Sequence, residues 1–249
     1  MSHRIKLSKI STSPTEKITK AAAAKENIRL IERLSTIQNK LYAQQKYAVL
    51  IVLQGMDASG KDGAVKNVFS GVNPAGCNVK SFKVPSAEEA AHHFLWRITK
   101  ECPAKGFIHI FNRSHYEDIL MPVINKSAND KQIKERFNEI NVFERGLIKS
   151  NTIVMKFYLH VSHNEQLMRL EERKTDEHKR WKYQKGDIIA ISKHDEYKKV
   201  YETIFENCSE DAPWHIIPAD AKWYKNYAIL KKIVETLEKY DINYPEVKL

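Results

Sequence analysis

Apolar residues in the first part of the chain change their spacing abruptly. Ile28, Ile31, Leu34, Ile37 and Leu41 recur at helical spacing, the buried stripe of an amphipathic helix. From Tyr47 to Gln54 (YAVLIVLQ) the pattern becomes a nearly continuous apolar run, as in a strand covered on both faces of a parallel sheet. A helix is expected to start inside the GKDGAVKNVFSG that follows. Apolar runs return as a half-buried strand at Asn78 to Val84, a third strand at Gly106 to Asn112, a fourth at Asn151 to Val161 and a fifth in WHIIPA. Between them lie helical stretches. SAEEAAHHFLWRITK opens on the capping-box pair Ser86 and Glu89, and a helix is expected from about Asp130 to Lys149. Ser162 and Glu165 form a second capping box, a helical run spans Asp187 to Asn207, and DAKWYKNYAILKKIVETLEKY closes the chain. Strands separated by crossover helices predict an α/β fold: a doubly wound, mainly parallel five-stranded sheet flanked by helices. Ligands in such sheets bind beyond the carboxyl ends of the strands, here the loops QGMDASGKDG and NRSHYED.

Composition narrows this picture. At 249 residues, with 42% hydrophobic and 29% charged residues, the chain suits a single domain over residues 1–249. No apolar run approaches the ~20 residues of a membrane span. The opening MSHRIKLSKISTSPTEKITK is basic and polar, unlike a signal peptide, and reads as a loose arm over about residues 1–20. Cys77, Cys102 and Cys208 are odd in number and widely spaced, which fits reduced thiols in the cytoplasm rather than a disulfide framework or a zinc site. A net charge of +10 points to a polyanionic partner without choosing among nucleic acid, an anionic surface and a phosphate-rich substrate.

The chemistry concentrates in three places. Gly55-x-x-x-x-Gly60-Lys61, between an apolar strand and a helix, is the pattern of a loop whose successive N–H groups and helix N-terminus cradle phosphate, with Lys61 as a point charge. Gly55, Ala58, Ser59, Gly60 and Gly63 make up this phosphate-binding turn, and Lys66 follows on the helix. Asp62 stands where a hydroxyl residue is usual, and Asp57 lies inside the loop. Two carboxylates repel phosphates unless a cation stands between them, so the loop reads as built around Mg²⁺. Asp62 also fits as a first-turn carboxylate against the helix macrodipole. The second place is IHIFNRSHYEDIL, where the strand ends on Asn112 rather than on the acid of a Walker-B-like strand, and Glu117 and Asp118 come later. Arg113 either forks onto a phosphate or makes a surface ion pair. Asn112, Arg113, Glu117 and Asp118 are candidate nucleotide-binding residues; Asp57, Asp62 and Glu117 are candidate metal ligands. His115 fits a structural histidine better than a general base, and His92, His93, His160 and His163 show no metal spacing. The third is RLEERKTDEHKRWKYQKG, where Arg169, Arg173, Lys174, Lys179, Arg180, Lys182 and Lys185 crowd around Trp181 and Tyr183. It reads as a mobile lid over transferring phosphates, a single-stranded nucleic-acid surface, or a solvated helix face.

Taken together, GMDASGKDG, FSGVNP, FNRSHYED, HKRWKY and APWHIIPADAKWY resemble the polyphosphate kinase 2 family, from about Lys40 to the closing helix. The resemblance implies a P-loop kinase fold similar to thymidylate kinases, with a helical lid at about 169–186. It implies phosphoryl transfer between inorganic polyphosphate and a nucleotide with Mg²⁺ as cofactor. By position, Asp57, Lys61 and Asp62 would be the catalytic Walker-A core, with Arg113 beside it, and Arg173, Lys179, Arg180 and Lys182 would be polyphosphate-binding lid residues. Some relatives carry Asp where Asn112 stands, so Glu117 is expected to take part of the metal role. NRSHYED is similar to the branch that accepts AMP as well as ADP. The expected partners are polyphosphate and adenine nucleotides, with guanine left open, in a cytoplasmic homo-oligomer without nucleic acid or membrane. The competing readings are an ATP-dependent nucleoside monophosphate kinase and a nucleic-acid-binding module with a vestigial P-loop.

Overall fold

The computed structural model describes residues 5–183, 186 and 191–246. The side chain of Lys182, together with Lys185 and the helix start expected at Asp187, lies outside this description. The predicted strands are all present: β1 (Ala48–Gln54), β2 (Cys77–Ser81), β3 (Ile108–Asn112), β4 (Thr152–His160) and β5 (Trp214–Pro218). They form one sheet in the order β2-β3-β1-β4-β5, with every pairing parallel. The helices are α1 (Lys20–Gln44), α2 (Lys61–Val68), α3 (Ala87–Ala91), α4 (Trp96–Thr99), α5 (Glu117–Ile124), α6 (Asp130–Lys149), α7 (His163–Thr175), α8 (His194–Asn207) and α9 (Lys222–Leu237).

Successive side chains of a strand point to opposite faces, so the central strand β1 serves two cores. Val49, Ile51 and Leu53 pack with Leu34 and Leu41 of α1 and Ile229 and Ile233 of α9. Leu50 and Val52 face the other layer, with Ile119, Ile140, Tyr201 and Ile204. The parallel register sets Leu53 of β1 against Asn112 of β3, which brings the two candidate loops side by side at one end of the sheet.

Four expectations are corrected. The N-terminal arm is solvated along most of residues 8–20 but is anchored at several points. Leu7 is buried, its N–H donates to Glu202 Oε1 (2.8 Å), and the Asp220 N–H donates to the Thr12 carbonyl (3.1 Å). Isolated apolar anchors such as Leu7 and Ile18 on a polar arm leave no periodic signal. The stripe of α1 begins at Ala23 and Leu30 rather than Ile28, which is 62% exposed. The Ser86 capping box forms in both directions (3.2 and 2.9 Å), yet α3 ends at Ala91. The chain restarts as α4 in an orientation that carries Ile98 into the core and Arg97 to the Lys83 carbonyl (2.9 Å) and Asp118 Oδ2 (3.2 Å). Ser162 accepts from Glu165 N–H (3.2 Å), but the Glu165 carboxylate turns away to Arg169 Nε (2.8 Å). The turn after α2, Gly71 to Gly76 (GVNPAG), has a steric role. Gly71 passes α1 so closely that a Cβ there would collide with Ile31 Cγ2.

Beneath the NRSHYED loop lies a buried ionic network. Lys156 Nζ of β4 donates to Glu144 Oε2 (2.5 Å), the Tyr116 hydroxyl (2.8 Å) and the Cys208 carbonyl (2.8 Å). Tyr116 in turn donates to Glu144 Oε1 (2.7 Å), and His115 Nε2 lies 3.1 Å from the same oxygen. Burial opposes the Glu144 charge, but Lys156 and His115 outweigh it and hold the carboxyl below its ordinary pKa. Removing one partner strands the other charge in a dry interior. Lys156→Met is therefore expected to cost about 3–5 kcal/mol at neutral pH, read by urea unfolding. A loss under about 1 kcal/mol would show that the network is dispensable.

Candidate functional site

In the loop after β1, expected to cradle phosphate, five backbone carbonyls are taken up by side-chain donors. Lys61 Nζ donates to the carbonyls of Gly55 (2.7 Å) and Met56 (3.1 Å). The Asp57 carbonyl accepts from Gln166 Nε2 (2.8 Å), the Ala58 carbonyl from Arg169 Nη1 (2.8 Å) and the Gly60 carbonyl from Lys225 Nζ (2.7 Å). Gly60 at φ 91° is the N-cap of α2, so the chain enters the helix through a conformation that favours glycine. Ala58 sits at φ 62°, a strained setting for a residue with a Cβ and common at ligand-binding turns. Ser59 is buried inside the loop, and its Oγ has no hydrogen-bond partner among the described residues.

Lys61 is itself buried, and burial with the nearby Arg113 charge lowers its pKa to about 8, against the pull of Asp57, Glu117 and Asp62. Arg113, at φ 63° directly after β3, reaches Asp57 Oδ1 (2.5 Å) and Glu117 Oε2 (3.5 Å). Burial works against the Arg113 charge, but Glu117 and Asp57 together raise its pKa. Burial raises the pKa of Glu117, which opens α5, although Arg113 and Lys61 oppose the shift. The Gln54 amide, turned so that both its atoms are satisfied, donates to Glu117 Oε1 (3.1 Å) and accepts from Ser114. Asn112 Nδ2 donates to Asp62 Oδ1 (2.9 Å) across the gap between β3 and α2. The structure thus brings Asp57, Lys61, Asp62, Asn112, Arg113 and Glu117 together.

Other expected site residues stand apart from this cluster. Asp118 is held by the buried Arg97, away from Arg113. Lys66 is exposed in the last turn of α2. Arg173 is half-buried in the last turn of α7. Lys179 is ion-paired to Glu172 (2.5 Å) and Asp176 (2.8 Å), and Arg180 Nε donates to the Lys174 carbonyl (3.3 Å). Arg169, grouped with the lid bases in the sequence, is buried and serves the P-loop instead. Its Nη2 also binds the Ala219 and Asp220 carbonyls (2.7 and 2.9 Å). Gln166 and Lys225 carry no motif that marks them, and only the folded chain places them on the loop. His115 is a buried structural histidine, as expected.

Asp57, Asp62 and Glu117 do not make a three-carboxylate cage. Among the described residues, no group of three His, Cys, Asp or Glu is placed to hold a metal ion. The half-buried Asp57, the exposed Asp62 and the orphaned Ser59 Oγ nonetheless offer hard oxygen donors around the loop. Mg²⁺ typically takes one or two carboxylates and completes its shell with phosphate and water, so these residues fit that ion.

The family model of polyphosphate kinase 2 (PPK2) matches residues 17–245. The chain belongs to the polyphosphate kinase 2 family. Members of this family are phosphotransferases, and this chain is an enzyme of that class. It is 43% identical to the AMP/ADP-polyphosphate phosphotransferase of Meiothermus ruber, covering 91% of this chain and 85% of that one. It is 39% identical to the ADP-polyphosphate phosphotransferase of Rhodopseudomonas palustris, covering 87% and 79%. The crystal structure of polyphosphate kinase 2 from Arthrobacter aurescens TC1 superposes with a TM-score of 0.96 at 33% identity, covering 100% of this chain and 90% of that one. The P-loop kinase architecture expected from the sequence is therefore shown.

The Asn112–Asp62 contact generates a prediction. Asn112→Asp would set two carboxylates against each other, an arrangement relieved by protonation or by a cation. The free variant is expected to bind Mn²⁺, standing in for Mg²⁺, about tenfold more tightly, about 1.4 kcal/mol, as read by electron paramagnetic resonance. Unchanged affinity would show that Asp62 does not face position 112 in solution.

Proposed function

We propose that the enzyme transfers phosphoryl groups reversibly between inorganic polyphosphate and adenine nucleotides, accepting AMP as well as ADP. The observation that carries this reading is the 43% identity, across nearly the whole chain, to a protein named for both acceptors. The Rhodopseudomonas palustris protein, named for ADP alone, favours a second reading without AMP. The relatives above carry polyphosphate-transfer names, so neither an ATP-dependent monophosphate kinase nor a nucleic-acid module draws support from them.

Phosphoryl transfer through a loose transition state needs positioning and charge neutralisation more than a general base. The nest amides and Lys61 meet the charge on the transferring group, and Arg113 presents a planar fork beside them, held by Asp57 and Glu117. Asp57 and Asp62 would hold Mg²⁺, which when bound neutralises phosphate oxygens. Glu117, buried against Arg113 and Gln54, serves chiefly to aim the arginine. Arg173, Lys179, Arg180 and Lys182 are assigned to the polyphosphate chain. Lys179 already holds carboxylates of its own segment, so engaging phosphate exchanges one anion for another. We further place the enzyme in the cytoplasm as a homo-oligomer. Among the described residues no helix is long and apolar enough to cross a membrane.

The test supplies polyphosphate and Mg²⁺, with AMP or ADP offered separately and no ATP added. ADP and then ATP should form from AMP, and ATP from ADP. Product from ADP alone would select the second reading, and turnover only with ATP as donor would overturn both. In the same assay Lys61→Ala is expected to lower kcat/KM by about 10²–10³-fold with an unchanged circular dichroism spectrum. Near-normal turnover would remove Lys61 from the transfer step.

A further inference from the structure

The last helix sends a lysine into the phosphate loop. Lys225, in the first turn of α9, is only 2% exposed, and its Nζ donates to the Gly60 carbonyl (2.7 Å). A Cβ on Gly60 would lie 2.5 Å from this nitrogen, and one on Gly63 would lie 3.8 Å away. The ammonium therefore sits against the backbone at the start of α2, where the free amides of the helix point toward the nest. The Gly60 carbonyl also accepts the first intrahelical bond, from Ala64 N–H (3.0 Å). Lys225 thus grips the peptide that sets the direction of the α2 axis at its entry.

The surroundings of Lys225 are costly for a cation. Arg169 of α7, Lys222 of its own helix and Lys61 of α2 all act against its charge, and Asp62 of α2 acts for it. Burial is the largest influence, and together these lower its pKa to about 7. Burying a lysine is costly unless its donor and its charge are both used. A polyanion in the nest would supply the missing counter-charge.

We propose that Lys225 is a positioning residue for phosphoryl transfer: by holding the Gly60 carbonyl outward, it keeps the first amides of α2 aimed at the phosphate chain. The assay of this role rests on the polyphosphate-transfer reading above. Lys225→Met keeps the stem and removes the donor, and it is expected to lower kcat with polyphosphate and ADP about 30-fold or more, since a misplacement of about 1 Å can cost about 100-fold. Lys225→Arg, which restores a donor and a charge, should recover kcat to within about fivefold. A Lys225→Met variant within threefold of wild type overturns the proposal. So does a Lys225→Arg variant no faster than the methionine form, because filled volume would then be the only role.

Charge gives a readout that packing alone would not move. An amine donates to Gly60 as an ammonium does, so raising the pH removes the charge and leaves the grip. The wild-type KM for polyphosphate should rise between pH 6.5 and 8.5, and Lys225→Arg should remove at least half of that rise. If Lys225→Met does not fold, Lys225→Gln takes its place, and a kcat within threefold of wild type then overturns the proposal. Should wild type show no transfer from polyphosphate, the function proposed above fails first. Calorimetric binding of inorganic tripolyphosphate then tests Lys225 alone, with at least tenfold weaker binding expected for Lys225→Met or, if that variant is unfolded, for Lys225→Gln. Equal binding refutes it.

Discussion

Backbone can bind phosphate only when its amides face inward and its carbonyls have partners elsewhere. The loop after β1 meets this constraint with side chains from distant elements. Gln166 and Arg169 come from α7, Lys225 from α9 and Lys61 from the loop's own helix. The parallel sheet makes this possible, because the register of β1 with β3 and β4 brings the strand ends, and the helices that follow them, to one edge. Neither Ala58 nor Arg113 would hold a left-handed backbone conformation unaided. Ala58 is fixed through its carbonyl by Arg169, and Arg113 through its N–H, which donates to the Leu53 carbonyl (3.0 Å). Local strain at the site is offset by contacts that span the chain.

The same contacts settle the electrostatics. Lys61, Arg113, Arg169 and Lys225 stand around one short loop, with Asp57, Asp62 and Glu117 interleaved. Of these seven charges Asp62 alone is exposed, where water screens it most. Repulsion among the cations and burial depress the lysine pKa values, whereas Arg113 keeps its charge through two carboxylates. In this cluster four cations stand against three carboxylates, a positive balance that suits an anion. The net charge of +10 favours polyanions from a distance, and the local positive balance around this loop adds to it.

The strands, their parallel order and the two site loops were legible in the sequence because each rests on a local pattern. YAVLIVLQ is apolar along its length, and GMDASGKDG sets glycines where the backbone needs them. What stayed hidden depends on contacts distant in sequence. Arg169 looked like one more base in a basic lid, yet it is buried among carbonyls of the P-loop and the β5–α9 turn. Gln166 and Lys225 belong to ordinary amphipathic helices. The helix α5 that presents Glu117 is absent from the predicted elements, and it carries inside it Pro122, a residue that usually ends a helix. The break after Ala91 runs against a fully formed capping box, because burying Ile98 and pairing Arg97 with Asp118 outweighs helix continuity.

Arg97 and the Lys156 network show how far the site's support extends. Asp118 turns to the buried Arg97 while its neighbour Glu117 turns to Arg113, so two adjacent carboxylates of α5 serve different arginines. The loop leading into α5 is anchored from below, where Tyr116 and His115 both reach Glu144 and Lys156 closes the network from β4. A fork of the Arg113 type is useful only if its plane is fixed, and here its backbone is tied to β1, its head to two carboxylates and its following turn to a buried ion pair. Arg113 therefore comes to substrate with its orientation already set. The lid bases beyond α7 rest on exposed pairs, which are weak and readily exchanged. The two parts of the proposed site thus differ: Arg113 is tied at three points, whereas Lys179 rests on exposed pairs that a phosphate chain would exchange.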